Sequence, residues 1–162
     1  FLKDNRSQIF EYDIESLIHI IYKSCIIKSN VVNQDEKEKG KRALLNFGHT
    51  IAHALEAVTE YKKYNHGEAV GVGMVGAVHI SYKMGLIDRD SYNFVKDLIK
   101  EYGLPLSYQY NEDIEGVYKR LFYDKKVKDN SLRWILLKEL GEAFIEKDVS
   151  NDIVKEVLEG LK

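Results

Sequence analysis

Apolar residues return every three or four positions through most of the chain, the period of helices that bury one face. Ile14, Leu17, Ile18, Ile21, Cys25 and Ile26 mark the first such stripe, which opens after Asp13, a side chain suited to capping, and runs to about Val32. A second helix is predicted over about Arg42 to Glu60, with Leu44, Leu45, Gly48, Ile51, Ala52, Leu55 and Val58 on its core face. Further helices are predicted over about His66 to Gly85, Ser91 to Tyr102 and Asn111 to Phe122. The period then changes. Leu132 to Leu137 and Ala143 to Ile145 are β-leaning runs on either side of Gly141, and Ser150 is placed to cap a last helix. The expectation is a mainly α protein, a multi-helix bundle with a small two-stranded β excursion near residues 132–146.

Composition narrows the classes. Pro105 is the only proline in 162 residues, which argues against a turn-rich β fold. No repeat, low-complexity tract or linker divides the chain, so residues 1–162 read as a single helical domain. Basic and acidic side chains, 24 and 26 of them, give a formal charge of −2 and no one-signed field, so neither nucleic acid nor membrane is an expected partner. The apolar run from Ala69 to Ile80 is shorter than the roughly 20 residues that span a bilayer. The lone cysteine, Cys25, lies among Ile18, Ile21 and Ile26, where a buried thiol in a reducing, cytoplasmic setting is expected. The chain starts at Phe1 without a signal or transit peptide and reads as a piece of something longer.

Chemistry concentrates in the second and third helices. Arg42, Asn46, His49 and His53 advance by four, three and four positions and form a polar stripe beside the apolar one. A surface helix would carry Lys and Glu there. Two readings stand for the histidine pair: partly exposed side chains hydrogen-bonded to neighbours, or ligands and acid–base groups facing a cavity. His66, at the start of the third helix, adds a third imidazole, and a catalytic zinc commonly takes three protein ligands. His49 and His66 can share an ion only if residues 61–65 double back. Seen from His49, a helix running to Glu60 ends about 16 Å away, and the six steps onward to His66 reach about 20 Å at most. The pair reads His49-Thr50-Ile51-Ala52-His53, which excludes the metalloprotease HExxH arrangement.

Gly71-Val72-Gly73-Met74-Val75-Gly76 matches the dinucleotide fingerprint in letters, but no strand precedes it, so its glycines are assigned to close helix packing. Lys28 interrupts an apolar stretch, either snorkelling or binding an anion. Asp124-Lys125-Lys126 has the look of a solvated helix end.

Taken in order, Ser24 to Lys28, Asp35 to Glu38, Arg42 to Thr50, His53 to Ala57, His66 to Val70 and Asp124 to Lys126 resemble the C-terminal domain of the 3-dehydroquinate synthases over nearly the whole chain. The block from Arg42 to His49, with the His-Gly-Glu-Ala run at His66, is the specific part of the match. The resemblance implies that His49 and His66 are two ligands of a catalytic Zn2+ (or Co2+), with a glutamate from a preceding segment as the third. It implies that NAD is bound mainly by an N-terminal domain outside this chain, and that the chain alone is inactive. Members of the family convert 3-deoxy-D-arabino-heptulosonate 7-phosphate to 3-dehydroquinate and phosphate in the shikimate pathway, commonly as homodimers. His53 resembles an active-site histidine near the phosphate, Glu38 a further acid–base residue, and Lys28, Arg42, Asn46 and Lys126, preferred to Lys125, a substrate clamp. Alternatives are a related NAD-dependent sugar-phosphate cyclase and a catalytically inactive helical binding module.

Overall fold

The computed structural model describes residues 1–35, 40–108, 114–123 and 132–162, without the side chains of Ile114 and Tyr123. It is mainly helical, with one two-stranded sheet among the described residues. The chain divides into two compact units, Phe1–Leu45 and Asn46–Lys162.

The first unit holds α1 (Arg6–Phe10) and α2 (Ile14–Gln34). Asp13 caps α2 as expected, accepting from the Ser16 amide at 2.9 Å, and this hydrogen bond holds its carboxyl below the ordinary carboxylate range. Among the described residues the apolar stripe of α2 does not form a core. Ile14, Ile18, Ile21 and Ile26 are exposed, and so is Cys25, contrary to the buried thiol expected. The periodicity identified the helix correctly, but the short α1 is too small to cover a stripe of this length. Beyond α2, the Asp35 carboxylate accepts from the amides of Gly40 and Arg42 at 2.7 and 3.0 Å and starts a 3-10 helix over Lys41–Asn46.

That 3-10 helix corrects the helix predicted over residues 42–60. The α-helix α3 spans only His49–Val58, because Gly48 takes a left-handed conformation (φ +83°) and breaks the run. Gly48 is needed twice over: a Cβ there would also lie 2.7 Å from the Met74 amide nitrogen. Arg42 and Asn46 therefore precede the break, and the four-residue polar stripe is not one helix face.

Helix α4 (His66–Lys83) is the buried axis of the second unit. Asn65 and Glu68 form a reciprocal capping box at its start. Its glycines do what the sequence reading assigned them: a Cβ on Gly73 would sit 2.0 Å from the Gly48 carbonyl oxygen, so α3 and α4 meet backbone to backbone. Around α4 pack α3, α5 (Arg89–Glu101, capped by Asp88), α7 (Asn151–Gly160, capped by Ser150) and strand β1 (Trp134–Glu139). Helix α6 (Ile114–Tyr123) lies against α3 and α7. Strand β1 pairs antiparallel with β2 (Glu142–Glu146), with a register shift between Leu137 and Glu139. Trp134 to Leu137 are buried, and the Ser81 hydroxyl of α4 donates to the Ala77 carbonyl while accepting from the Leu137 amide at 3.0 Å. The sheet is thereby fastened to the central helix. Ile51, Leu55, Val72, Ile80, Leu136, Val157 and Leu161 belong to the shared core.

Candidate metal and substrate site

His49 is the first residue of α3 and His53 lies one turn further on, so the two rings share a face, with centroids 5.5 Å apart. His66 is the first residue of α4. Between them the chain reverses as the shared-ion reading required. Glu60 and Tyr61 are both left-handed (φ +52° and +57°), and the Tyr61 amide donates back to the Glu56 carbonyl at 2.8 Å. The reversal brings His66 to 5.2 Å from His49 and 6.4 Å from His53, centroid to centroid.

Hydrogen bonds separate the three rings. His49 Nδ1 donates to the Phe47 carbonyl at 3.3 Å, and His66 Nδ1 to Glu56 Oε1 at 2.9 Å. A carbonyl and a carboxylate can only accept, so each Nδ1 carries a proton, and in the neutral imidazole Nε2 is the nitrogen that keeps its lone pair. Among the described residues the His53 ring has no such partner, and its ring contacts are with the other two imidazoles. Two imidazoles on one tetrahedral zinc, at Zn–N of about 2.0–2.1 Å, have ring centroids about 5 Å apart. The 5.2 Å between His49 and His66 fits that spacing. The pair suits two positions of a ligand set, since among the described residues no three His, Cys, Asp or Glu side chains are arranged to hold an ion.

His53 also lines a cleft of 420 Å³ together with Thr50, Tyr61, Arg120 and Arg133. The Thr50 hydroxyl donates to the Arg133 carbonyl at 3.2 Å, tying α3 to the approach to β1. A second cleft, 550 Å³ between the start of α4 and residues 103–107, contains none of the three imidazoles. Glu56, Arg120 and Arg133 were not singled out from the sequence. Glu56 had a readable signal, a carboxylate seven positions after His49 inside an apolar helix face. The arginines had none, because α6 and β1 reach the cleft only through tertiary packing.

Of the other expected site residues, Asn46 ends the 3-10 helix and is exposed. Lys28 is exposed on α2, and Arg42 is half-buried in the 3-10 helix; both belong to the first unit. Glu38, Lys125 and Lys126 lie outside the described residues.

A family model described as 3-dehydroquinate synthase C-terminal matches residues 1–127. The chain belongs to this family. Among 3-dehydroquinate synthases, that of Thermodesulfovibrio yellowstonii is 38% identical over 158 residues and that of Ruminiclostridium cellulolyticum 42% over the same length. Each alignment covers 98% of this chain and 44% of the relative, so the chain spans less than half the length of these synthases. The 2-epi-5-epi-valiolone synthase of Streptomyces hygroscopicus, solved with NAD+ and Zn2+ bound, shares the fold, with a TM-score of 0.86 at 19% identity over 99% of this chain and 44% of its own. A 2-deoxy-scyllo-inosose synthase complexed with carbaglucose-6-phosphate, NAD+ and Co2+ aligns with a TM-score of 0.72 at 27% identity, over 83% of this chain and 39% of its own. Among the described residues no helix is long and apolar enough to cross a membrane.

Proposed function

We propose that this chain is the metal- and substrate-binding part of a 3-dehydroquinate synthase, which cyclises 3-deoxy-D-arabino-heptulosonate 7-phosphate to 3-dehydroquinate with loss of phosphate. The observation that supports it most is the His49–His66 pair, ring centroids 5.2 Å apart, with both Nδ1 atoms engaged so that Nε2 is the nitrogen through which each neutral ring would ligate. These two residues would hold a divalent cation, and a glutamate from outside the chain completes the set. When bound, the cation supplies Lewis-acid polarisation of substrate hydroxyls, and NAD on the N-terminal domain supplies a reversible hydride acceptor. The residues of this chain do the rest. His53, whose ring nitrogens are not committed to a neighbouring acceptor among the described residues, exchanges a proton beside the leaving phosphate. Arg120 and Arg133 give the cleft next to it planar cations suited to phosphate and carboxylate oxygens. Family resemblance adds Lys28, Arg42, Asn46 and Lys126 as substrate contacts and Glu38 as a further acid–base residue. The reading carries with it a cytoplasmic, homodimeric enzyme.

The test is zinc content and turnover in the full-length protein. His49→Ala and His66→Ala are expected to lose both, whereas His53→Ala keeps its zinc and loses rate by about 10²–10⁴-fold, the range for a general acid–base group. Stoichiometric zinc and normal turnover in His66→Ala would overturn the assignment. Turnover of an uncharged-end sugar phosphate alone would shift the reading to a related cyclase, and no zinc binding at all would shift it to a binding module.

A further inference from the structure

Glu56 is a buried carboxylate, 7% exposed, in a helix whose neighbouring positions, Ala52, Ala54 and Leu55, are all core. A carboxylate is kept in such a place only with a partner, and the partner here is His66, 2.9 Å away, across the hairpin from the end of α3 to the first residue of α4. The contact has a direction. Because Glu56 can only accept, it selects the Nδ1–H form of an imidazole that would otherwise exchange between two tautomers, and it fixes a ring whose final torsion is broad when unrestrained. In the neutral imidazole the unprotonated nitrogen is then Nε2, on the opposite edge of the ring from Glu56. His49 obtains the same tautomer from the Phe47 carbonyl, a backbone group that no side-chain change removes. His66 depends on one side chain.

We propose that Glu56 is a positioning residue for the metal centre, holding His66 as the Nδ1–H tautomer with Nε2 turned toward the ion shared with His49. The proposal rests on the metal reading above but is tested separately from it. Full-length protein labelled with 15N-histidine is compared as wild type, Glu56→Leu, which fills the space without an acceptor, and Glu56→Gln, which keeps one. In the metal-free protein, long-range 1H–15N spectra are expected to show His66 as Nδ1–H in wild type and Glu56→Gln, and a shift toward Nε2–H in Glu56→Leu. His49 keeps its tautomer throughout and reports that the fold is intact. Zinc affinity, measured by chelator competition, is expected to fall about 10–100-fold in Glu56→Leu, the usual loss for an outer partner of a ligating histidine, and less in Glu56→Gln. If Glu56→Leu loses the His49 signal, Glu56→Asp, whose carboxylate stops one methylene short, is expected to show the same tautomer change. An unchanged His66 tautomer in a folded variant lacking the acceptor, or a changed tautomer with wild-type zinc affinity, overturns the proposal. Failure of the wild-type protein to bind zinc overturns the metal reading instead, and the metal-free spectra still decide whether Glu56 orients His66.

Discussion

Replacing Gly73 by alanine tests the contact on which the histidine geometry rests. The added Cβ would lie 2.0 Å from the Gly48 carbonyl oxygen and 3.1 Å from the Ala52 amide nitrogen, all backbone that cannot rotate aside. An ordinary C···O approach is about 3.3–3.6 Å, so the start of α3 must retreat from α4 by about 1.3 Å or more. Alanine gains about 1 kcal/mol of helix propensity over glycine, against overpacking that costs about 1–3 kcal/mol and more where backbone is struck. With backbone struck, the cost lies at the upper end or above, so a net loss of about 2 kcal/mol or more is expected, or about 4–8 °C or more in melting temperature at about 2–4 °C per kcal/mol. The same movement carries His49 away from His66. Metal–ligand distances tolerate only about ±0.2 Å, so zinc binding should be lost as well. Two other glycines calibrate the result. At Gly76 the new atom meets the Ile51 and Leu161 methyl ends, at 2.3 and 3.0 Å, which can turn away, and at Gly116 nothing among the described residues lies within 4 Å. Gly76→Ala should cost less and spare zinc binding. Gly116→Ala, in α6, should stabilise by about 0.5–1 kcal/mol. Thermal melts and zinc titration of the three variants decide; a Gly73→Ala protein with wild-type stability and wild-type zinc affinity would refute the reasoning.

His79 on α4 is held below the ordinary histidine range, first by burial and then by Lys83 and Lys96, with Glu156 opposing. Its neutral form is favoured by folding, so its contribution is present above about pH 6.5 and is lost as pH falls through the lowered folded value. His79→Phe, which preserves stacking on Tyr82 and Tyr92, should therefore flatten the acid side of a stability–pH curve; an unchanged slope would count against it. Ser81→Ala strands the buried Leu137 amide and should cost about 1–3 kcal/mol in urea denaturation, without altering zinc affinity. Glu60→Gly relieves a left-handed residue at φ +52° and should raise stability by about 0.5–1 kcal/mol after allowance for a more flexible unfolded chain; a lower melting temperature would show that the turn is not strained.

The helices were legible because caps and periodicity agree: Asp13 and Ser150 stand where the sequence reading put them, and α4 runs from His66 nearly to Gly85. The break at Gly48 was not. Its signal is a glycine inside a good apolar pattern, and what forces the left-handed turn is the backbone of α4, invisible to any local window. The exposure of the α2 stripe was missed for a related reason, since periodicity reports a helix with an apolar face but not whether anything covers it. In the site, the spacing of His49 and His53 on one helix and the reversal needed to reach His66 could be reasoned from chain geometry. Arg120 and Arg133 could not, because no short-range pattern links α6 or β1 to the histidines.

Both prospective ligands come from neighbouring arms of a single helical hairpin, closed by the two left-handed residues Glu60 and Tyr61. That makes the donor pair a short-range object, assembled by one tight reversal rather than by the threading of distant segments. A break at Gly141, in the turn between β1 and β2, would leave that helical hairpin uncut. A cut or insertion between Glu60 and Asn65 would scatter the imidazoles while sparing most of the hydrophobic interior.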